Sequence, residues 1–187
     1  YGKEEINAVI KQLHKTTQMG SSVSKFENLI AKQFSKKFGL MVNSGSSALT
    51  LAMNVLKFKK NDEIIIPCLN FGTALSSIML AGATPILVDI EIDTLQIDVS
   101  KIEKRITKNT KAIMVPNLIG NIPDFKKIKK IANKYKLKVI EDCAQAFGTK
   151  YQNRYCGTYG SVGCFSTHPL KNFNAMGDGG FVVTNDL

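Results

Sequence analysis

The chain predicts an α/β fold: a three-layer α/β/α sandwich with a mostly parallel central sheet. Three observations carry this. Short, continuously apolar runs alternate with helix-period segments of about ten residues, the pattern of strands covered on both faces. With 187 residues, 44% of them hydrophobic, the chain can build one sizeable core. Polar clusters follow directly on apolar runs, as they do where ligands collect at the carboxyl ends of parallel strands.

Taken in order, Lys3 to Leu13 carries Ile6, Val9, Ile10 and Leu13 at helical spacing. A second helix, with Ser22 or Ser24 as cap, puts Phe26, Leu29, Ile30, Phe34 and Phe38 on one face. Both are expected to pack on the core. After Gly39 a short strand, Leu40 to Asn43, leads through Ser44-Gly45-Ser46-Ser47 into a helix bearing Ala48, Leu51, Ala52, Val55 and Leu56. Strand-like runs then fall at Glu63 to Ile66, Thr84 to Val88, Ala112 to Val115, Lys138 to Ile140, Val162 to Ser166 and Gly180 to Thr184. Helical segments lie between them at Thr73 to Leu80, Val99 to Ile106 and Asp124 to Tyr135. No repeat, low-complexity stretch or linker interrupts the series, so residues 1–187 read as one domain. The chain begins at Tyr1 and stops after the apolar run Phe181, Val182, Val183, which we read as part of a longer protein.

The formal charge of +10 raises the question of nucleic acid, but only Arg105 and Arg154 are arginines; 23 of the 25 basic residues are lysines. Base and phosphate recognition leans on arginine forks. Lys126, Lys127, Lys129, Lys130, Lys134 and Lys136 interleave with Ile128 and Ile131, the pattern of a solvated helix face, so no nucleic-acid partner is expected. Cys68, Cys143, Cys156 and Cys164 show no CxxC spacing, and His14 and His168 are the only histidines, so no metal site is expected. Reduced cysteines in apolar segments fit the cytoplasm. No apolar run approaches the roughly 18 residues of a membrane span, and no signal-peptide pattern is visible.

Three clusters carry chemistry. Asn43-Ser44-Gly45-Ser46-Ser47 lies at a strand-to-helix junction, where free N–H groups and the helix dipole attract an anion; an ordinary serine cap is the alternative. Glu141-Asp142 follows Val139-Ile140, and a carboxylate at the end of a buried strand needs a cation or a hydrogen-bonded ligand. By alternation only one of the two need reach a site, and a structural salt bridge would serve as well. Lys171 sits between Pro169 and Gly177, Gly179 and Gly180, either as a surface charge or as a nucleophilic amine. An anion cradle, a carboxylate and a lysine together match the needs of pyridoxal phosphate: a phosphate to bind, a ring nitrogen needing an acidic partner, and an aldehyde that an amine captures.

Asn43-Ser44-Gly45-Ser46-Ser47-Ala48-Leu49, Glu141-Asp142-Cys143-Ala144-Gln145-Ala146, and Phe165-Ser166-Thr167-His168-Pro169-Leu170-Lys171-Asn172 leading to Gly177-Asp178-Gly179-Gly180 resemble the DegT/DnrJ/StrS-type sugar aminotransferases, with Met19-Gly20 and Phe26-Glu27 fitting ahead of them. The resemblance spans nearly the whole chain. It implies the large domain of a fold-type I pyridoxal phosphate enzyme, with a smaller C-terminal domain outside this chain and a site shared across a homodimer. It implies that Lys171 bonds the cofactor and carries a proton, and that Asp142 pairs with the ring nitrogen. Gln145 would meet the ring's 3-oxygen, Gly45, Ser46, Ser47 and Ser166 would hold the phosphate, and Phe71 would stack on the ring unless it is a core residue. The implied reaction moves an amino group, commonly from glutamate, to a nucleotide-linked keto sugar for surface polysaccharide, including lipopolysaccharide.

Two departures bear on the substrate side: Asn70 stands where threonine is usual, and Asn117-Leu118-Ile119-Gly120 where His-Leu-Tyr-Gly is more frequent. Sugar dehydratases with histidine at the lysine position belong to the same group. Lys171 argues against that branch; a regulatory homologue without turnover is the remaining alternative.

Overall fold

Successive residues of each inner strand feed two different cores, and that alternation is what makes three layers. In the computed structural model, which describes residues 1–186, Ile64 and Ile66 pack on one face of the sheet while Ile65 packs on the other. Ala112 and Met114 likewise face away from Ile113 and Val115, and Ile140 away from Val139.

The helices are α1 (Lys3–Lys15), α2 (Ser21–Gln33), α3 (Gly45–Leu56), α4 (Gly72–Leu80), α5 (Val99–Ile102) and α6 (Phe125–Tyr135). The strands are β1 (Phe38–Val42), β2 (Glu63–Pro67), β3 (Thr84–Val88), β4 (Thr110–Pro116), β5 (Lys138–Asp142), β6 (Lys150–Tyr151), β7 (Arg154–Tyr155), β8 (Val162–Ser166) and β9 (Gly180–Thr184). Seven strands form one sheet in the order β1-β9-β8-β5-β4-β2-β3, and β6 pairs with β7 in a separate ribbon. The sheet is parallel except at β9, which runs antiparallel to both β1 and β8. β1, β2, β4, β5 and β8 therefore end on the same edge, and β9 begins there.

Ala48, Leu49, Ala52 and Met53 of α3 and Ala74 and Ile78 of α4 cover one face. Val99 and Ile102 of α5 and Phe125, Ile128 and Ile131 of α6 cover the other, with α2 beside them. In that α2 region Phe34, 1% exposed, lies 4.7 Å from Phe165 by ring centroids and 6.0 Å from Phe181. The lysines of α6 stand on its outer side while Ile128 and Ile131 are buried, as expected of a solvated face.

Several local expectations are corrected. α2 starts from Gly20, not from a serine cap, because Ser22 Oγ donates instead to Gln12 Oε1 of α1 at 2.6 Å. The helix stops before Phe38: Ser35 turns left-handed at φ 51°, and Phe38 opens β1 opposite Thr184. α1 buries none of its residues among the described ones, and Ile6, Val9, Ile10 and Leu13 stay exposed. An apolar stripe shows that a helix face suits cover, not that this part of the chain supplies it. The β6–β7 ribbon, two residues per strand, is too short to leave a periodic signal.

Candidate active site

The edge where β1, β2, β4, β5 and β8 end encloses a cavity of ≈ 400 Å³. Its wall includes Gly45, Ser46, Phe71, Asp142, Gln145, Ser166 and Lys171, brought together from positions as far apart in the chain as Gly45 and Lys171. The parallel sheet does this: each residue lies at or just past the carboxyl end of its strand, so the strand order converts sequence distance into adjacency.

α3 points its N-terminus at this cavity. Ser44 caps it, its Oγ accepting the Ser47 N–H at 3.1 Å. The N–H groups of Gly45 and Ser46 make no hydrogen bond among the described residues, leaving two donors and the positive end of a twelve-residue helix at the wall. Gly45 allows the approach: a Cβ there would lie 2.7 Å from Ser166 Cβ. Ser166, at the end of β8, accepts the His168 N–H on its Oγ at 3.3 Å. Ser47, grouped from sequence with the phosphate donors, does not line the cavity. Its N–H is taken by the cap, and its hydroxyl donates to Asn43 Oδ1 at 2.5 Å.

β5 separates its two carboxylates. Asp142 lines the cavity, is buried, and accepts one hydrogen bond, from the Ala144 N–H to Oδ1 at 3.1 Å. Burial raises its pKa above the ordinary aspartate value; the Ala144 N–H and then the positive charge of Lys171 oppose that rise. Glu141 projects to the opposite face, where its carboxylate accepts Gly157 N–H at 2.7 Å and Gly160 N–H at 2.5 Å. Burial pushes Glu141 up to about 7 against those two donors and nearby Lys36. Lys36 also donates to Gly160 O at 2.9 Å, and this bond ties the α2–β1 turn to the loop before β8. The Glu141, Cys143 and Cys156 ligating atoms lie within 4.8 Å of one another, but both carboxylate oxygens are already engaged by backbone.

Lys171 sits half-buried in a loop that folds back on itself. Thr167 donates its N–H to Gly179 O at 2.8 Å and accepts the Ala175 N–H at 3.1 Å, while Lys171 N–H donates to His168 O at 2.9 Å. His168, close to the lysine in sequence and given no proton role there, lines the cavity. Its Nδ1 accepts the Leu170 N–H at 3.1 Å and its Nε2 lies 3.7 Å from Asp178 Oδ1.

The opposite wall is less expected. Phe71, 63% exposed, precedes α4 and lines the cavity, so it is no core phenylalanine. Gln145 Oε1 accepts the Ile119 N–H at 2.7 Å. Ile119 holds φ 52° and ψ 24°, a left-handed conformation that costs a β-branched residue roughly 1–2 kcal/mol. Asn117 is buried, donating from Nδ2 to Cys143 Sγ at 3.4 Å while its Oδ1 has no partner among the described residues. Leu49, Thr73, Pro116, Ala144 and Asp178 also line the cavity, none of them given a role from sequence. Thr73 lies in the first turn of α4, just past Phe71, and the strand-end rule applied to β2 would have found it.

The sequence profile of the DegT/DnrJ/EryC1/StrS aminotransferase family matches residues 1–187. The GDP-perosamine synthase of Escherichia coli O157:H7 is 43% identical over 167 residues, covering 89% of this chain and 46% of that protein. The aminotransferase from Psychrobacter cryohalolentis superposes with a TM-score of 0.95 at 33% identity, over 100% of this chain and 48% of that one. The E. coli GDP-4-keto-6-deoxy-D-mannose-3-dehydratase with bound hydrated PLP gives a TM-score of 0.94 at 34% identity, over 100% and 49%. The chain thus spans about half the length of the relatives it matches. With a match along its whole length and a fold shared at better than 30% identity, the chain belongs to the DegT/DnrJ/EryC1/StrS aminotransferase family.

Proposed function

We propose that the chain is the cofactor-binding large domain of a pyridoxal phosphate-dependent aminotransferase that delivers an amino group, from glutamate, to a nucleotide-linked keto sugar. The observation that carries this reading is the convergence of the α3 N-terminus, buried Asp142 and Lys171 on one cavity. The residues fit the group. The unpaired N–H groups of Gly45 and Ser46, with Ser46 and Ser166 hydroxyls, suit a phosphate. Asp142 has one hydrogen bond to its carboxylate among the described residues, leaving lone pairs for a protonated ring nitrogen. Phe71 offers an aromatic face. When bound, the cofactor supplies an aldehyde that carries nitrogen and a ring that takes up an electron pair.

The protein's own part is to hold and to move protons. Asp142 would hold the proton on the ring nitrogen through its buried carboxylate. Lys171 Nζ would hold the cofactor and, as a free amine, would be the base that takes a proton from the substrate carbon and returns it. Leu49 and Leu118 would give that proton transfer apolar surroundings. The relatives named for GDP-perosamine synthesis and for aminotransfer support the sugar substrate. A second subunit completing the site, a cytoplasmic setting and a role in surface polysaccharide complete the reading. No helix among the described residues is long and apolar enough to cross a membrane.

The test is to supply the whole protein with pyridoxal phosphate, glutamate and a panel of nucleotide-linked keto sugars. Expected are 2-oxoglutarate and amino sugar in equal amounts, with turnover reduced on the order of a thousandfold or more in Lys171→Ala. Loss of water from the sugar with no amino sugar formed would identify a dehydratase instead. Binding without turnover would identify a regulatory homologue.

A further inference from the structure

The turn after β4 holds Ile119 in a conformation that a β-branched residue does not favour, and side chains around it hold it there. Ile119 and Gly120 are both left-handed, at φ 52° and 76°. Buried Gln96 donates from Nε2 to Leu118 O at 3.2 Å, and Asn121 donates from Nδ2 to Thr94 O at 3.0 Å. These two bonds fix the ends of the turn. Its middle is fixed by the Ile119 N–H, which is presented to Gln145 Oε1 at 2.7 Å by the left-handed backbone.

That bond decides what Gln145 can offer. An amide side chain has an acceptor end and a donor end, and which faces where is set by its neighbours. If the amide were flipped, its NH₂ group would confront another N–H at hydrogen-bond distance, two donors with no acceptor between them. With Oε1 spent on Ile119, Nε2 is left without a partner among the described residues, on a residue that lines the cavity.

We propose that the backbone N–H of Ile119 is a positioning group for the site: it locks Gln145 as a hydrogen-bond donor toward the cavity. This wall then selects a ligand ring bearing an acceptor oxygen. The last step rests on the cofactor reading above; the lock itself does not. The strained turn is the element that makes the lock, and the side chain of Ile119, 72% exposed, is not part of it.

Amide hydrogen exchange on the whole protein without cofactor tests the lock. The Ile119 amide is expected to be protected in the wild type and in Gln145→Glu, which keeps an acceptor, and to exchange roughly tenfold faster or more in Gln145→Leu. Equal exchange in wild type and Gln145→Leu overturns the proposal. Pyridoxal phosphate binding tests the consequence. Gln145→Glu, with Ile119 still protected, is expected to bind roughly tenfold or more weakly and to shift the pH midpoint of the bound cofactor's absorbance, because an acceptor now faces an acceptor. Ile119→Gly, which keeps the N–H and suits the left-handed turn, is expected to retain both protection and affinity. A tenfold loss of affinity in Ile119→Gly would overturn the proposal by assigning the effect to the side chain. Failure of the wild type to bind pyridoxal phosphate would count against the cofactor reading alone, since the exchange result is obtained without it.

Discussion

Asp142 and Glu141 are adjacent in sequence and opposite in consequence. Both are buried carboxylates at the end of β5, yet one borders the cavity and the other is clamped by two glycine N–H groups on the far face. Asp142 has a single hydrogen bond among the described residues, from the Ala144 N–H, and is left under-satisfied. Asp142→Asn keeps an acceptor for that N–H and removes a desolvated charge. Its stability is therefore expected to fall by less than about 1 kcal/mol, or to rise, while turnover falls on the order of a hundredfold or more. Urea unfolding and steady-state kinetics on the same preparations separate the two effects. Equal losses in both would mean that Asp142 is only a structural residue.

At the scale of elements, α3 does two jobs that pull its first residue in opposite directions. As a helix it would gain from alanine at position 45, by roughly 0.5–1 kcal/mol over glycine. As a wall of the cavity it must approach β8 so closely that a Cβ at Gly45 would stand 2.7 Å from Ser166 Cβ, a rigid atom next to the backbone. Gly45→Ala is expected to leave the melting temperature within a few degrees, the helix gain offsetting the clash, while pyridoxal phosphate affinity drops about tenfold as the free N–H groups shift away. Calorimetry and a cofactor titration check the pair. Unchanged affinity would remove α3 from the phosphate site.

At the scale of the whole molecule, Glu141 links distant segments to pH. Its pKa in the folded protein is about 7 against an ordinary 4.5, so the folded state holds the proton more tightly than the unfolded chain. The resulting stability is fully present below about pH 4.5, declines as pH rises through the window to about 7, and is absent above it. A shift of that size corresponds to about 3 kcal/mol across the window. Glu141→Gln, which cannot titrate, is expected to flatten the stability profile between pH 4.5 and 7 relative to wild type; denaturant unfolding at several pH values measures the difference. A difference between wild type and variant that is constant with pH would show that Glu141 does not titrate there.

By itself the sequence determined the α/β class, most strand positions and the cluster of residues at the strand ends. Those follow from local signals: continuous apolar runs such as Ile64-Ile65-Ile66, helix-period stripes such as that of α6, and polar groups directly after them. Lys171, Asp142 and Gly45 were legible because chemistry restricts residue type at such positions. The antiparallel course of β9, the β6–β7 ribbon and the lack of buried residues in α1 were not legible, because they depend on which surfaces meet. Nor could period-two alternation say which of Glu141 and Asp142 would face the cavity. It shows only that they part, and the direction is set by the side of the sheet on which α3 packs. Ser47 was drawn away from the wall by Ser44 and Asn43, and Ile119 was drawn into a left-handed turn by contacts from Gln96 and Gln145. In each case tertiary structure decided because a hydrogen bond has one donor and one acceptor, and which partner takes it depends on residues far away in the chain.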